Sequence, residues 1–208
     1  MRVRTFGRWT AAAVAVSLAI TIAGAQEENL VTNADFEDEL LDPWGNYGPI
    51  TVELADKADA HTGTEAMKIT VAAAGVNFWD AGVQFSDNIF FAKNTDYTWA
   101  MFFKSDPPVR VNIKPELGAD PWTAYGENQV QLTEEYQEFW TEWNVGGSDV
   151  VPASLTLHVQ FDAATIWMDD VRWYEGDYEP FEGGAPQSVD PIGKATTTWG
   201  RLKSPEHD

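Results

Sequence analysis

Hydrophobic and polar residues alternate with a period of two along most of the chain, from Leu30 to about Tyr174. This alternation is typical of half-buried β-strands, because successive side chains of a strand point to opposite faces. Gly, Pro, Asn and Asp residues, which favour turns, separate about eight such runs. The predicted strands cover residues 50–54, 67–71, 83–85, 97–104, 109–114, 139–145, 155–162 and 165–174.

Strands with one apolar face must bury that face against a second layer. The pattern therefore predicts an all-β fold, with two antiparallel sheets facing each other as a β-sandwich or jelly roll. In this register Trp99 and Trp143 point into the core, whereas Trp140 and Trp167 point outward.

The same alternation predicts which side chains face away from the core. Gln84, Asn112 and Gln160 are outward-facing amides, and Phe102 joins them from another strand. Amides both donate and accept hydrogen bonds, as sugar hydroxyls do. The simplest alternative for each residue is a solvated surface position.

Four aromatic residues occur in contexts rich in turn-forming residues: Trp44, Trp79, Trp122 and Tyr125. An exposed aromatic ring is a natural platform for the C–H face of a sugar. We therefore expect these residues to contribute to a ligand-binding face. Trp44 fits equally well as a core residue beneath a loop.

Charge and cysteine content narrow the possible partners. The 208-residue chain has 33 acidic and 13 basic residues, a formal net charge of −20, and no cysteine. Nucleic acids are bound mainly through Lys and Arg, so this charge argues against a nucleic-acid partner. Without disulfides, stability must come from the core or from a bound metal.

The two ends differ in composition from the middle. Residues 1–25 combine three arginines, an apolar stretch and Ala23-Gly24-Ala25, the pattern of a cleaved export signal. Residues 26–175 form the predicted domain. Residues 176–208 begin with a segment rich in Gly, Pro and acidic residues, as in a linker, and end in a tail. We expect the protein to be exported, either to the extracellular space, including the cell surface, or to the periplasm. After cleavage we expect it to be monomeric and not inserted in a membrane.

Several short motifs, taken in order, resemble the carbohydrate-binding modules of families four, nine and twenty-two. These families share a galactose-binding-like jelly roll, and the resemblance covers residues 28–175. The motifs are Leu30-Val31-Thr32-Asn33-Ala34-Asp35-Phe36-Glu37, His61-Thr62-Gly63-Thr64, Asp96-Tyr97-Thr98-Trp99, Leu132-Thr133-Glu134-Glu135-Tyr136 and Met168-Asp169-Asp170-Val171.

The resemblance implies a structural calcium between the first and last strands. Its ligands would come from Glu37, the carbonyls around His61 and Gly63, and Asp169 or Asp170. Because neighbouring side chains of a strand face opposite ways, only one of the two aspartates is expected to reach the site, and the resemblance favours Asp169. Alternatively, these acids cap turns and accept hydrogen bonds from backbone amides.

The leading functional hypothesis is a non-catalytic module that binds a poly- or oligosaccharide. A glycan hydrolase or lyase is the first alternative. Hydrolysis needs two carboxylates at a suitable spacing, but among 33 acidic residues such a pair is expected by chance, so its presence would not support this alternative. A structural or adhesion module of the cell envelope is the second.

Overall fold

The computed structural model describes residues 28–86 and 88–181. The predicted export signal and most of the predicted tail lie outside the described residues. The described part contains ten β-strands: β1 Trp44–Tyr47, β2 Ile50–Ala55, β3 Ala66–Val71, β4 Gly82–Phe85, β5 Asp96–Asp106, β6 Arg110–Leu117, β7 Asn128–Gln131, β8 Gln137–Asn144, β9 Ala153–His158 and β10 Ala164–Glu175. No helix in this part of the chain is long and apolar enough to cross a membrane.

The strands form two five-stranded antiparallel sheets. Sheet A has the order β1-β4-β9-β6-β7, and sheet B has the order β2-β3-β10-β5-β8. The predicted all-β sandwich is confirmed. The strands that the sequence did not predict, β1 and β7, are four-residue edge strands of sheet A with too few apolar residues to show an alternation.

The core lies between the two sheets and is rich in aromatic rings. Trp99 is fully buried and Trp143 nearly so, as predicted. The ring of Phe91 lies 5.2 Å from the ring of Trp143 and 5.8 Å from that of Trp173. Aromatic contacts of this kind stabilise a core beyond the area they bury, which suits a domain without disulfides.

The two ends of the domain meet along β10. Leu30 N donates a hydrogen bond to Trp173 O at 2.7 Å, and Val171 N donates to Ala34 O at 2.8 Å. The first described segment therefore runs beside the last strand, as the sequence predicted.

The chain continues in contact with sheet B beyond the boundary predicted at residue 175. The ring of Tyr178 stacks on Trp140 at 3.9 Å, and its hydroxyl donates to Glu138 Oε2 at 2.8 Å. Phe181 packs against Phe102, with ring centroids 5.4 Å apart. We call residues 176–181 the C-terminal strap; it belongs to the domain and covers part of the outer face of sheet B.

Candidate functional site

A cleft of about 780 Å³ lies over the outer face of sheet A. This volume is within the range of ordinary ligand sites. Its lining combines aromatic, amide and charged side chains from the strands of sheet A and from loops near both ends of its central strand, β9. The lining residues are Tyr47, Phe78, Trp79, Gln84, Lys114, Glu116, Pro121, Trp122, Ala124, Glu127 and His158.

Trp79 stands on the loop that leads into β4, and 51% of its surface is exposed. The turn beneath it is fastened by Asp80, whose carboxylate accepts hydrogen bonds from Asn77 N at 2.8 Å and Asn77 Nδ2 at 3.2 Å. These hydrogen bonds lower the pKa of Asp80. The carboxylate therefore stays ionised and holds the turn while the indole faces solvent.

An aromatic stack supports Trp79 from behind. Phe78 meets the indole edge-on at 4.7 Å and stacks on Phe161 at 4.5 Å. The guanidinium of Arg110 lies over Phe161 at 4.8 Å. The sequence analysis did not assign Phe78 a role, because a ring beside a tryptophan in a loop has no distinctive pattern.

Trp122 stands on the loop after β6, at the other end of β9, and is 54% exposed. Lys114 Nζ donates a hydrogen bond to Trp122 O at 3.0 Å and pairs with Glu116 at 2.6 Å. The side chains of both Lys114 and Glu116 are largely buried. Glu116 holds the Lys114 side chain in place, and the hydrogen bond from Lys114 fixes the loop to the floor of the cleft. Together they set the position of the second exposed indole.

Tyr47 crosses the floor of the cleft over Gly82. A Cβ at Gly82 would lie 2.5 Å from the backbone oxygen of Leu157 and 2.7 Å from the Tyr47 hydroxyl, so the site accepts only glycine. Burial, together with the charges of Glu116 and Asp80, raises the pKa of Tyr47 to about 12. Tyr47 is therefore neutral at pH 7 and can donate a hydrogen bond.

The centre of the floor is a chain of hydrogen bonds. Asn112 Nδ2 lies 2.9 Å from Glu127 Oε1 and 3.0 Å from His158 Nδ1. Burial and the neighbouring charge of Lys114 lower the pKa of His158 to about 4. His158 is therefore a neutral imidazole at pH 7.

The structure places three of the predicted ligand-binding residues, Trp79, Trp122 and Gln84, in the lining of this cleft. Asn112 lies on the same face but is fully buried under its neighbours. Gln160 is also nearly buried: its backbone N donates to Phe78 O at 3.1 Å, and its side chain lies against Gly75. Gln160 therefore supports the loop that carries Trp79 and does not line the cleft.

Three of the predicted ligand-binding residues lie away from the cleft. Trp44 follows its alternative prediction as a core residue: it is buried between Phe36 and Phe85, because β1 turns its ring inward. Tyr125 packs against the core, with its ring 6.1 Å from that of Phe91. Phe102 does face outward, but from sheet B, where His61 stacks on it at 3.8 Å. Alternation gives the face of a residue but not the sheet to which its strand belongs.

The five candidate calcium ligands come together around the loop 61–65, on the sheet B side. Asp169 Oδ2 accepts hydrogen bonds from His61 N at 2.8 Å and from Thr62 N at 3.1 Å. Glu37 accepts from Thr64 N and Oγ1, both at 2.6 Å, and its carboxylate also contacts Gly63, whose φ is +61°. The predicted closeness of the first and last strands is therefore present.

Both aspartates reach this loop, so the prediction that only one could do so is wrong. The register between β10 and β5 shifts between Asp169 and Arg172, and Asp170 has a φ of 48°. Such a bulge breaks the alternation of faces. Asp170 accepts from Thr62 Oγ1 at 2.8 Å and lies 2.6 Å from His61 Nδ1. Burial, and then the charge of Asp170, raise the pKa of Asp169 to about 6.

Calcium takes six to eight oxygen ligands. Here the carboxylates of Glu37 and Asp169 face N–H and O–H donors of the loop. Among the described residues there is no group of three or more His, Cys, Asp or Glu side chains placed to hold a metal. The donor set as it stands fits a loop held by hydrogen bonds. Calcium binding stays a prediction. Measuring the thermal unfolding temperature with added calcium and with a chelator tests it.

Comparison with known proteins identifies the family. Residues 28–165 match the family model CBM_4_9, described as a carbohydrate binding domain. The chain belongs to this family. The family resemblance predicted from the sequence motifs is confirmed, and so is the coarse prediction of a carbohydrate-binding module. No curated protein sequence matches the chain.

Solved structures of several modules share the fold. One titled "CBM4 structure and function" superposes with a TM-score of 0.55 at 22% identity, covering 70% of this chain and 99% of that chain. The CBM22-1 xylan-binding domain from Paenibacillus barcinonensis Xyn10C gives a TM-score of 0.56 at 16% identity, covering 72% and 95%. A family 16 carbohydrate-binding module gives 0.52 at 20%, covering 71% and 100%. At these identities the likeness shows the fold and leaves the ligand open.

Proposed function

We propose that this chain is a non-catalytic module that binds a neutral poly- or oligosaccharide in the cleft over sheet A. Trp79 and Trp122 would stack on sugar rings, and the polar floor would hydrogen-bond sugar hydroxyls. The observation that carries the proposal is the pair of half-exposed indoles at opposite ends of β9, lining one cavity. Exposed apolar side chains that share one cavity are a common mark of a ligand-binding groove.

The charges of the cleft favour a neutral glycan. Lys114 and Glu116 pair with each other, Glu127 adds a negative charge, and His158 is neutral at pH 7. The cleft therefore has no unpaired cation for a uronate or sulfate group among its lining residues. With a net charge of −20, the whole chain also repels acidic polymers.

Affinity electrophoresis tests the proposal. Soluble xylan or β-glucan in the gel should retard the purified chain, and Trp79→Ala or Trp122→Ala should each weaken that retardation about tenfold or more, because each loses a stacking platform. Phe90→Ala is the matched control, since Phe90 is 53% exposed but lies outside the cleft lining. Failure to bind any member of a broad neutral glycan panel would refute the function and spare the fold. Release of reducing sugar would instead support the hydrolase alternative.

We also propose that the module acts outside the cytoplasm, in the extracellular or periplasmic space. The support is the sequence pattern of residues 1–25, which lie outside the described residues. N-terminal sequencing of the protein recovered from culture medium or periplasm should begin at Gln26. A retained N-terminal segment would contradict export by cleavage.

A further inference from the structure

The polar chain on the cleft floor joins three elements of sheet A. Asn112 belongs to β6, His158 ends β9, and Glu127 directly precedes β7. Asn112 and His158 are also direct cross-strand partners, so their side chains stand on the same face. The strand register, and not a flexible loop, brings the two side chains together.

The chemistry of Glu127 fixes which end of the Asn112 amide faces it. An ionised carboxylate only accepts hydrogen bonds, so the atom 2.9 Å from Glu127 Oε1 must be the amide nitrogen. The flipped amide would set an oxygen against a carboxylate. In the observed orientation Asn112 Oδ1 is buried and has no partner among the described residues. Asn112 keeps this orientation despite the cost of an unpaired oxygen.

The same nitrogen then fixes the tautomer of His158. Asn112 Nδ2 carries two hydrogens, one for Glu127 Oε1 and one for His158 Nδ1 at 3.0 Å. His158 Nδ1 must therefore accept, and in a neutral imidazole the proton then resides on Nε2. His158 lines the cleft, so its remaining nitrogen is a hydrogen-bond donor on the floor of that cavity.

We propose that Asn112, oriented by Glu127, is a positioning residue that holds His158 as the Nε2–H tautomer, so that His158 donates a hydrogen bond to an oxygen of the bound sugar. This inference rests on the proposed function of the cleft. It assigns the floor a fixed donor beneath the two indoles, so a bound sugar must present an acceptor oxygen at that point.

Nitrogen-15 NMR of the histidine side chains of the full chain at pH 7 reads the tautomer directly. The wild type should show His158 protonated at Nε2. Asn112→Leu removes the amide that donates to His158 Nδ1 and adds no charge, so a part of the His158 population should then carry its proton on Nδ1. Affinity for soluble xylan or β-glucan should then fall roughly three- to tenfold, the effect of one misdirected hydrogen bond.

Gln129→Leu is the matched control. Gln129 is the cross-strand partner of Asn112 on β7, so the substitution removes a neighbouring amide and leaves the Asn112 side chain in place. It should keep the Nε2–H tautomer and the affinity. An equal loss of affinity in this control would overturn the proposal, because the loss of any amide on this face would then explain the result.

The tautomer of the wild type decides the proposal even if Asn112→Leu fails to fold, since an Nδ1–H signal overturns it. Unchanged affinity after a tautomer shift also overturns it. If the wild type shows Nε2–H but binds no glycan, the proposed function fails and the sugar contact fails with it. If the wild type binds glycan with an Nδ1–H imidazole, only the positioning role fails.

Discussion

The outer faces of the two sheets are built from strands with the same kind of alternating pattern, but one face is open to solvent and the other is partly covered. The outer face of sheet A is open and holds a cleft with two half-exposed indoles. On sheet B, the loop 61–65 and the C-terminal strap cover the outward Phe102 and Trp140. Exposed aromatic residues thus line an open cleft on one sheet, and aromatic residues form an extra packing layer on the other. What decides between the two is the chain that crosses each face.

The faces also differ in how their charges are used. On sheet B, Glu138 pairs with the buried Arg172 and accepts hydrogen bonds from the Tyr178 hydroxyl and Phe181 N. On sheet A, the Lys114–Glu116 pair lies in the lining of the cleft. We therefore expect substitutions on sheet B to change stability and substitutions on sheet A to change binding.

Glu138→Gln should have the largest effect. It leaves the Arg172 guanidinium buried without a counter-charge, which costs about 3–5 kcal/mol of unfolding free energy. Glu53→Gln is the control, because Glu53 and its partner Lys68 form an exposed cross-strand pair, and such pairs contribute little to stability. Urea denaturation measures both. If Glu138→Gln lowered the free energy of unfolding by less than the control does, the Glu138–Arg172 pair would not be what holds the strap.

Tyr178→Ala should lower the free energy of unfolding by about 2–3 kcal/mol, because it removes both the stacking on Trp140 and the hydrogen bond to Glu138. Tyr178→Phe keeps the ring and should cost about 1 kcal/mol. Glycan affinity should not change in either variant, since the strap lies on the opposite sheet from the cleft. A loss of affinity would show that the two faces are coupled.

The lowered pKa of His158 makes a prediction about pH. In the folded state its pKa is about 4, below its ordinary value of 6.5. Between these two pH values the unfolded chain therefore binds more protons, and stability falls as the pH falls. From pH 7 to pH 4 the wild type should lose about 2 kcal/mol more than His158→Gln, after allowance for partial exposure. Parallel pH curves from urea denaturation would show that burial does not disfavour the imidazolium.

Asp80→Ala should have the smallest effect. It releases the turn beneath Trp79 without touching the indole. Affinity for xylan or β-glucan should fall about twofold, because the platform must then be ordered on binding. Isothermal titration calorimetry should show the loss in the entropy term. A loss as large as that of Trp79→Ala would mean that Asp80 contacts the ligand itself.

The alternating pattern was enough to predict the sandwich and the core tryptophans. The acidic motifs at the two ends of the domain, through the family resemblance, predicted that the chain ends meet. Turn-rich contexts led to Trp79 and Trp122 but equally to Trp44, which is buried, so context alone does not separate exposed from buried tryptophans. Phe102 was misplaced, because alternation cannot say that the loop at His61 folds back over it. The contribution of Asp170 was missed, because a one-residue bulge leaves no mark in a sequence.

The cleft floor was the least predictable part. Tyr47 lies on an edge strand of four residues, and its ring occupies space that a side chain at Gly82, in another strand, would fill. The contact between Asn112 and His158 follows from the register of β6 against β9, and the hydrogen bond from Lys114 to Trp122 O depends on how the loop after β6 folds back. Contacts between strands distant in sequence are set by pairing, which a single sequence does not reveal.

The central claim is that the glycan binds to sheet A and leaves the outer face of sheet B untouched. NMR detection of the tryptophan indole N–H signals during titration with soluble xylan or β-glucan tests it directly. The account predicts that the signals of Trp79 and Trp122 move on binding, while those of Trp140 and Trp167 on sheet B stay in place. Movement confined to Trp140 and Trp167 would contradict it.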